Sequence, residues 1–165
     1  MLEQGQTNQM IQEPSAENGY HAAHARLLTT SYARILGRAL YRYAEPQALY
    51  HAPFPILSHS TDADPVLTYG NLAAQELWQM GWDQMVGMPS RLTAEPQHQA
   101  ARAAMFERMR KQGYIDDYAG IRISATGQRF EIRNAVIWTL LDAGGHKHGE
   151  AASFCDYALC DGPAR

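Results

Sequence analysis

Charged side chains are scarce in this chain, at 19% of its 165 residues, and the formal net charge of −3 leaves no large surplus of either sign. Such a composition fits neither a self-repelling disordered polymer nor a basic protein built to neutralise phosphates, so disorder and nucleic-acid binding are not expected. Long apolar runs are also missing. The longest, around Ala135 to Leu141, falls well short of the roughly 20 residues a membrane-spanning helix needs, and Met1 to Met10 is polar and Gln-rich with no signal-peptide core. No membrane association and a cytoplasmic location are the expectation. Cysteine is limited to Cys155 and Cys160, too few for a disulfide framework and too close in sequence to brace a domain, which points to reduced thiols. What is present is apolar: 45% hydrophobic and 10% aromatic content give enough material for one domain with a sizeable core, in a chain too short for two.

Residues 1–16 mix Gln, Glu, Asn and Gly without periodicity and read as a disordered leader, 17–160 as a single domain, and 161–165 as a tail. Within the domain Leu28, Tyr32, Ile35, Leu36, Leu40 and Tyr43 recur at helical spacing, predicting a long amphipathic helix over 17–43 that ends before Pro46. Ile56-Leu57-Ser58-His59 and Val66-Leu67-Thr68-Tyr69 flank a turn-rich stretch and predict a β-hairpin. Asn71 is a candidate cap for a short helix carrying Leu72, Gln75, Leu77 and Trp78, and a longer helix is predicted from near Thr93 to Gly113. Beyond Gly113 the apolar period falls to two. Ile121 and Ile123 alternate with polar residues, Phe130, Ile132, Val136, Trp138 and Leu140 share one parity, and Ala152, Phe154, Tyr157 and Leu159 follow, which predicts a three-stranded meander.

Two strands, short helices, one longer helix and three strands make an α+β domain: a five-stranded antiparallel sheet with helices on one face, preceded by the long amphipathic helix. That order resembles the PAS sensor fold, in which sheet and helical flank enclose a small-molecule pocket. The residues from Tyr20 to Leu159 carry a closer resemblance. Leu28-x-x-Ser31-Tyr32, Leu49-Tyr50-x-Ala52-Pro53-Phe54, Leu57-Ser58-His59, Asp64-Pro65 and Tyr69-Gly70-Asn71 stand in order along the first half. Pro89-Ser90-Arg91-x-x-Ala94-Glu95-Pro96, Gly113-Tyr114-Ile115, Gly120-x-Arg122-x-Ser124, Gly127-x-Arg129-Phe130 and Gly149-x-Ala151-Ala152-x-Phe154 continue it. In these motifs the chain is similar to the MEKHLA domain family, a PAS-related group found as small bacterial proteins and at the carboxyl end of plant class III homeodomain-leucine-zipper proteins. The string of letters that names the family does not occur here, and neither does a homeodomain or zipper, so the DNA-binding role of the plant proteins is not carried over. The resemblance implies a sensor or regulatory domain. The light-sensing branch of the PAS family carries a reactive cysteine in an Asn-Cys-Arg-Phe-Leu motif; that motif is absent, Cys155 and Cys160 come too late to replace it, and flavin photochemistry is not expected.

Candidate chemistry is sparse. His21-x-x-His24 and His146-x-His148 can each place two imidazoles together, but neither pair brings the third ligand that zinc needs, and no metal is expected. His59 lies on the first strand, where alternate side chains enter the space between sheet and helices; it is a candidate ligand contact, or a structural histidine tied to Asp62 or Asp64. Tyr69, Asn71, Trp78, Phe130 and Trp138 are candidates to line an aromatic pocket, with packing the first role of Phe130 and Trp138. Arg91 is the preferred anion partner; Arg122 alternates with two isoleucines and would point away from the core if they face it. No G-x-S-x-G elbow, Walker loop or Rossmann fingerprint occurs. The favoured reading is a non-catalytic sensory domain that binds an unidentified small organic ligand and signals through a protein partner or a homodimer formed by the first helix, with no cofactor assigned. A ligand-free protein-interaction module and a small-molecule enzyme using His59 are the alternatives.

Overall fold

The computed structural model describes residues 11–95 and 99–160. Of the segment read as a leader, residues 1–10 lie outside that range, and the remainder is held by side chains from the domain. Trp82 Nε1 donates to the Ile11 carbonyl at 2.8 Å, His21 Nε2 meets the Gln12 carbonyl at 2.7 Å, and the Tyr50 hydroxyl donates to the Glu13 carboxylate. After a 3-10 turn at Ala16–Asn18, left-handed backbone at Gly19, Tyr20 and His21 turns the chain into α1, Ala22–Leu36. This helix is shorter than the predicted 17–43. Its start is set by these three left-handed residues, and its end by Gly37, whose φ of 73° lets the N–H cap Ala33 O. Leu40 and Tyr41 still pack on the core, but from a loop.

Pro46, which lacks an N–H that the first helical turn does not need, opens α2 (Pro46–Tyr50). The hairpin β1 (Ile56–His59) and β2 (Leu67–Gly70) forms where predicted, and Asn71 caps α3 (Leu72–Trp78) by accepting from Ala74 N. Then come α4 (Trp82–Met85), a 3-10 turn at Ser90–Thr93 and α5 (Gln99–Gln112). The helix predicted from Thr93 does not include Thr93 to Glu95. Thr93 closes the 3-10 turn, Ala94 is extended and bridges Arg122, and Glu95 N donates to Ile121 O, so this backbone belongs to the sheet edge.

Four strands finish the chain: β3 (Tyr114–Ile123), β4 (Arg129–Leu141), β5 (Lys147–Ser153) and β6 (Asp156–Leu159). All pairings are antiparallel, in the order β2-β1-β5-β4-β3, and β6 pairs β4 as well. Because β5 lies along Val136 to Leu141 and β6 along Phe130 to Arg133, the two occupy one lane, and the expected fifth strand is a single lane broken near Phe154 and Cys155. Gly149 fits where it does because β1 presses on it: a Cβ there would stand 1.9 Å from His59 O.

Each face of the sheet has its own core. Against α1, Trp138 Nε1 donates to Leu28 O at 3.2 Å, the Trp138 ring meets Tyr32 edge-on at 4.9 Å, and Ser31 Oγ bonds both the N–H and the carbonyl of Leu141. The opposite face packs Phe130, Ile132 and Ala135 against Trp78 and Met85. The single parity predicted for Phe130 through Leu140 is therefore broken. Asn134 takes a φ of 51°, the β3 register slips there, and the extra residue sends Trp138 and Leu140 to the α1 side while Ile132 and Ile137 line the other.

Candidate functional site

Between the second face of the sheet and α5 lies a cavity of about 530 Å³. Its floor is built by Leu57 of β1, Ala152 of β5 and Ile132 and Ile137 of β4; α5 covers it with Met105 and Met109, and Trp78 and Phe154 border it as well. Trp78 is fixed in that wall by an Nε1 bond to Thr93 O at 3.2 Å and an edge-on contact with Phe130 at 5.0 Å.

A histidine–carboxylate pair stands in the wall. His59 and Glu150 are cross-strand partners of β1 and β5, with Nε2 and Oε2 3.6 Å apart; His59 Nδ1 meets Ser60 O at 2.9 Å, and Lys147 Nζ reaches Glu150 at 3.1 Å. Burial alone would lower the His59 pKa, but the Glu150 carboxylate and the Ser60 carbonyl outweigh it and hold the value above the ordinary 6.5. Burial likewise opposes the charge on Glu150, yet His59 and Lys147 keep its pKa below normal. The carboxylate partner of His59 is thus Glu150, where turn geometry pointed to Asp62 or Asp64; Asp62 instead accepts from Ser60 Oγ.

The sequence candidates divide. His59, Trp78 and Arg91 border the cavity, Arg91 at its exposed rim in a pair with Asp64 at 3.3 Å. Phe130 is fully buried behind Trp78. Tyr69 and Trp138 belong to the core under α1, Tyr69 lying at a tilt against His24 at 5.4 Å with its hydroxyl unpartnered among the described residues and its pKa pushed up by burial. Asn71 is a scaffold bolt: its amide accepts from Ile56 N and Ala74 N and donates to Leu49 O and Phe54 O.

Arg122 is on the cavity side, contrary to the orientation inferred from its isoleucine neighbours. Tyr118, Gly120 and Arg122 alternate onto one face of β3. The absence of a side chain at Gly120, where a Cβ would lie 2.7 Å from the Tyr118 hydroxyl, lets Tyr118 reach back and accept from Arg122 Nη1 at 3.2 Å. Sequence reasoning also missed Glu150, because only the β1–β5 register brings it to His59.

His21 holds Gln12 O, His24 holds Ser58 Oγ at 2.8 Å, and His146 and His148 both bond Asp142; among the described residues no three potential ligands gather in a metal-binding arrangement. Cys155 and Cys160 lie outside the cavity lining. No helix among the described residues is long and apolar enough to cross a membrane.

Solved structures share this fold. The PAS domain of a protein from Colwellia psychrerythraea superposes with a TM-score of 0.58 at 13% identity, over 67% of this chain and 91% of that one. A light-oxygen-voltage domain described with a flavin analogue gives 0.55 at 14% identity, over 73% and 87%. An RNA-binding light-oxygen-voltage receptor gives 0.57 at 19% identity over 67% of this chain, which spans only 31% of that receptor. The fold is therefore PAS-like. No curated protein matches the sequence. The MEKHLA domain model matches residues 22–159, from the first residue of α1 to the last of β6, and the chain belongs to the MEKHLA domain family.

Proposed function

We propose that this domain is a sensory module that binds a small organic molecule between sheet and helices and passes occupancy on through a dimer or a protein partner. The observation that carries the reading is the cavity: its volume of about 530 Å³ falls within the roughly 300–1,000 Å³ of small-molecule sites, and its wall is mainly apolar with a few placed polar groups. His59, Trp78 and Arg91 are the contacts this reading assigns. The PAS-like fold supports it, as does the flavin analogue named for one structural neighbour. The buried stripe of α1 is already spent on its own sheet, so the output surface is the exposed side bearing Arg26, Thr30 and Ala33.

The test is a thermal-shift screen of the full chain against a broad metabolite panel, followed by tryptophan emission. A binder raises the melting temperature by mass action. Its effect on emission is expected to disappear in Trp78→Phe and to persist in Trp138→Phe, and Ala152→Phe, which fills the floor, is expected to abolish binding. A panel that leaves the melting temperature unchanged contradicts the reading and favours a ligand-free interaction module. Sedimentation showing only monomer removes the dimer part.

A further inference from the structure

The geometry points to an amphipathic organic anion, an apolar body ending in one carboxylate-like group, as the guest of this cavity; the inference rests on the cavity being a ligand site. Three carboxylates border the cavity and each is already matched: Asp64 by Arg91, Glu150 by His59 and Lys147, and Glu95 by Arg129 at 2.6 Å. Two bordering guanidiniums are left over. Among the described residues neither Arg102 of α5 nor Arg122 of β3 is paired with a carboxylate, although both line the cavity.

Both are positioned by aromatic rings. Arg122 lies over Tyr118 at 5.1 Å and Arg102 over Phe106 at 5.4 Å. Arg122 spends only Nη1 on protein acceptors, Tyr118 Oη and Ile121 O, so its Nε and Nη2 donors are free among the described residues. A guanidinium held on a ring face presents its N–H edge in a fixed fork, which matches the two oxygens of a carboxylate. Further in, Leu57, Ile132, Ile137 and Phe154 offer no hydrogen-bonding side chain, and that part of the guest has to be apolar. A neutral guest would leave the Arg122 donors unused, and a cation would be repelled by both arginines.

Calorimetry on the full chain with two matched probe pairs tests this: naphthalene-2-carboxylate against naphthalene-2-carboxamide, and decanoate against 1-decanol. The acids are expected to bind about tenfold or more tightly than their neutral partners, with a preference that weakens as salt is raised. Arg122→Gln is expected to bring the acids down to the affinity of the neutral probes while leaving the neutral probes unchanged. Should that variant fold poorly, Arg102→Gln on the exposed side of α5 is expected to lower acid affinity in the same sense. Equal binding of acid and neutral probe, or a preference that survives both substitutions, overturns the inference. If both charge types bind equally and Ala152→Phe abolishes both, the cavity is still a ligand site and only the anion is wrong. If no probe binds and the metabolite panel is also silent, both fall.

Discussion

The imidazole of His59 and the carboxylate of Glu150 meet across the β1–β5 ladder at 3.6 Å, with side chains 29% and 18% exposed. The raised His59 pKa means that its share of stability is present below the ordinary value of 6.5 and is lost as pH rises through the folded value. The depressed Glu150 pKa makes its share present above the ordinary 4.5 and lost as pH falls through the folded value. The pair therefore contributes most between those two ordinary values. Glu150→Gln is expected to lower the His59 pKa, read from the imidazole proton shifts, and to cost about 1 kcal/mol in that window but less at alkaline pH. An unmoved His59 titration would show that the two groups do not interact.

His24 behaves in the opposite sense. Burial first, and the neighbouring His21 and His148 second, bring its pKa down to about 4 while its Nε2 is engaged by Ser58 Oγ. The folded state binds fewer protons than the unfolded one between 6.5 and about 4, so stability holds above that window and declines as pH falls through it. The loss is expected to reach at most about 3 kcal/mol, and His24→Gln is expected to flatten this part of the profile. Urea midpoints of both proteins across that pH range measure the difference; parallel curves would refute it.

Asn71 is fully buried and makes four hydrogen bonds that join α2, the Phe54 loop, β1 and α3. Asn71→Ala leaves two backbone donors and two carbonyls without this partner and is expected to cost about 3–5 kcal/mol in chemical denaturation. Asn71→Asp turns a carboxylate oxygen toward the Leu49 and Phe54 carbonyls and is expected to be no more stable than Asn71→Ala at neutral pH. A loss near zero would mean that the backbone rearranges to pair these groups itself.

Asn134 holds the left-handed φ of 51° that shifts β4 by one residue. Asn134→Gly is expected to be tolerated, whereas Asn134→Val is expected to lose about 1–3 kcal/mol, because a β-branched residue resists that conformation. If valine is accepted without loss, the bulge does not depend on the left-handed conformation at position 134.

That residue also marks where reading by period stops working. Caps and turns were legible because their chemistry is local: Asn71 before α3 and Gly113 after α5 each stand where a neighbouring backbone group needs them, whereas Pro46 was read only as a stop to the first helix and not as the start of α2. Gly37 is equally local but was overridden by an apolar period that runs on to Tyr43, although the chain beyond it packs as a loop. The side of the sheet was not legible past Asn134, since one inserted residue reverses every later assignment, and Trp138 was placed near the cavity as a result. Glu150 and Arg122 depend on strand register and on the gap above Gly120, which no spacing along the chain encodes.

The slip at Asn134 decides which side of the one-backbone-thick β4 each later residue takes. Ile137 touches the hollow on one side, while its neighbour Trp138 grips the Leu28 carbonyl of α1 on the other. The backbone of β4 alone therefore stands between the hollow and the helix on the far side.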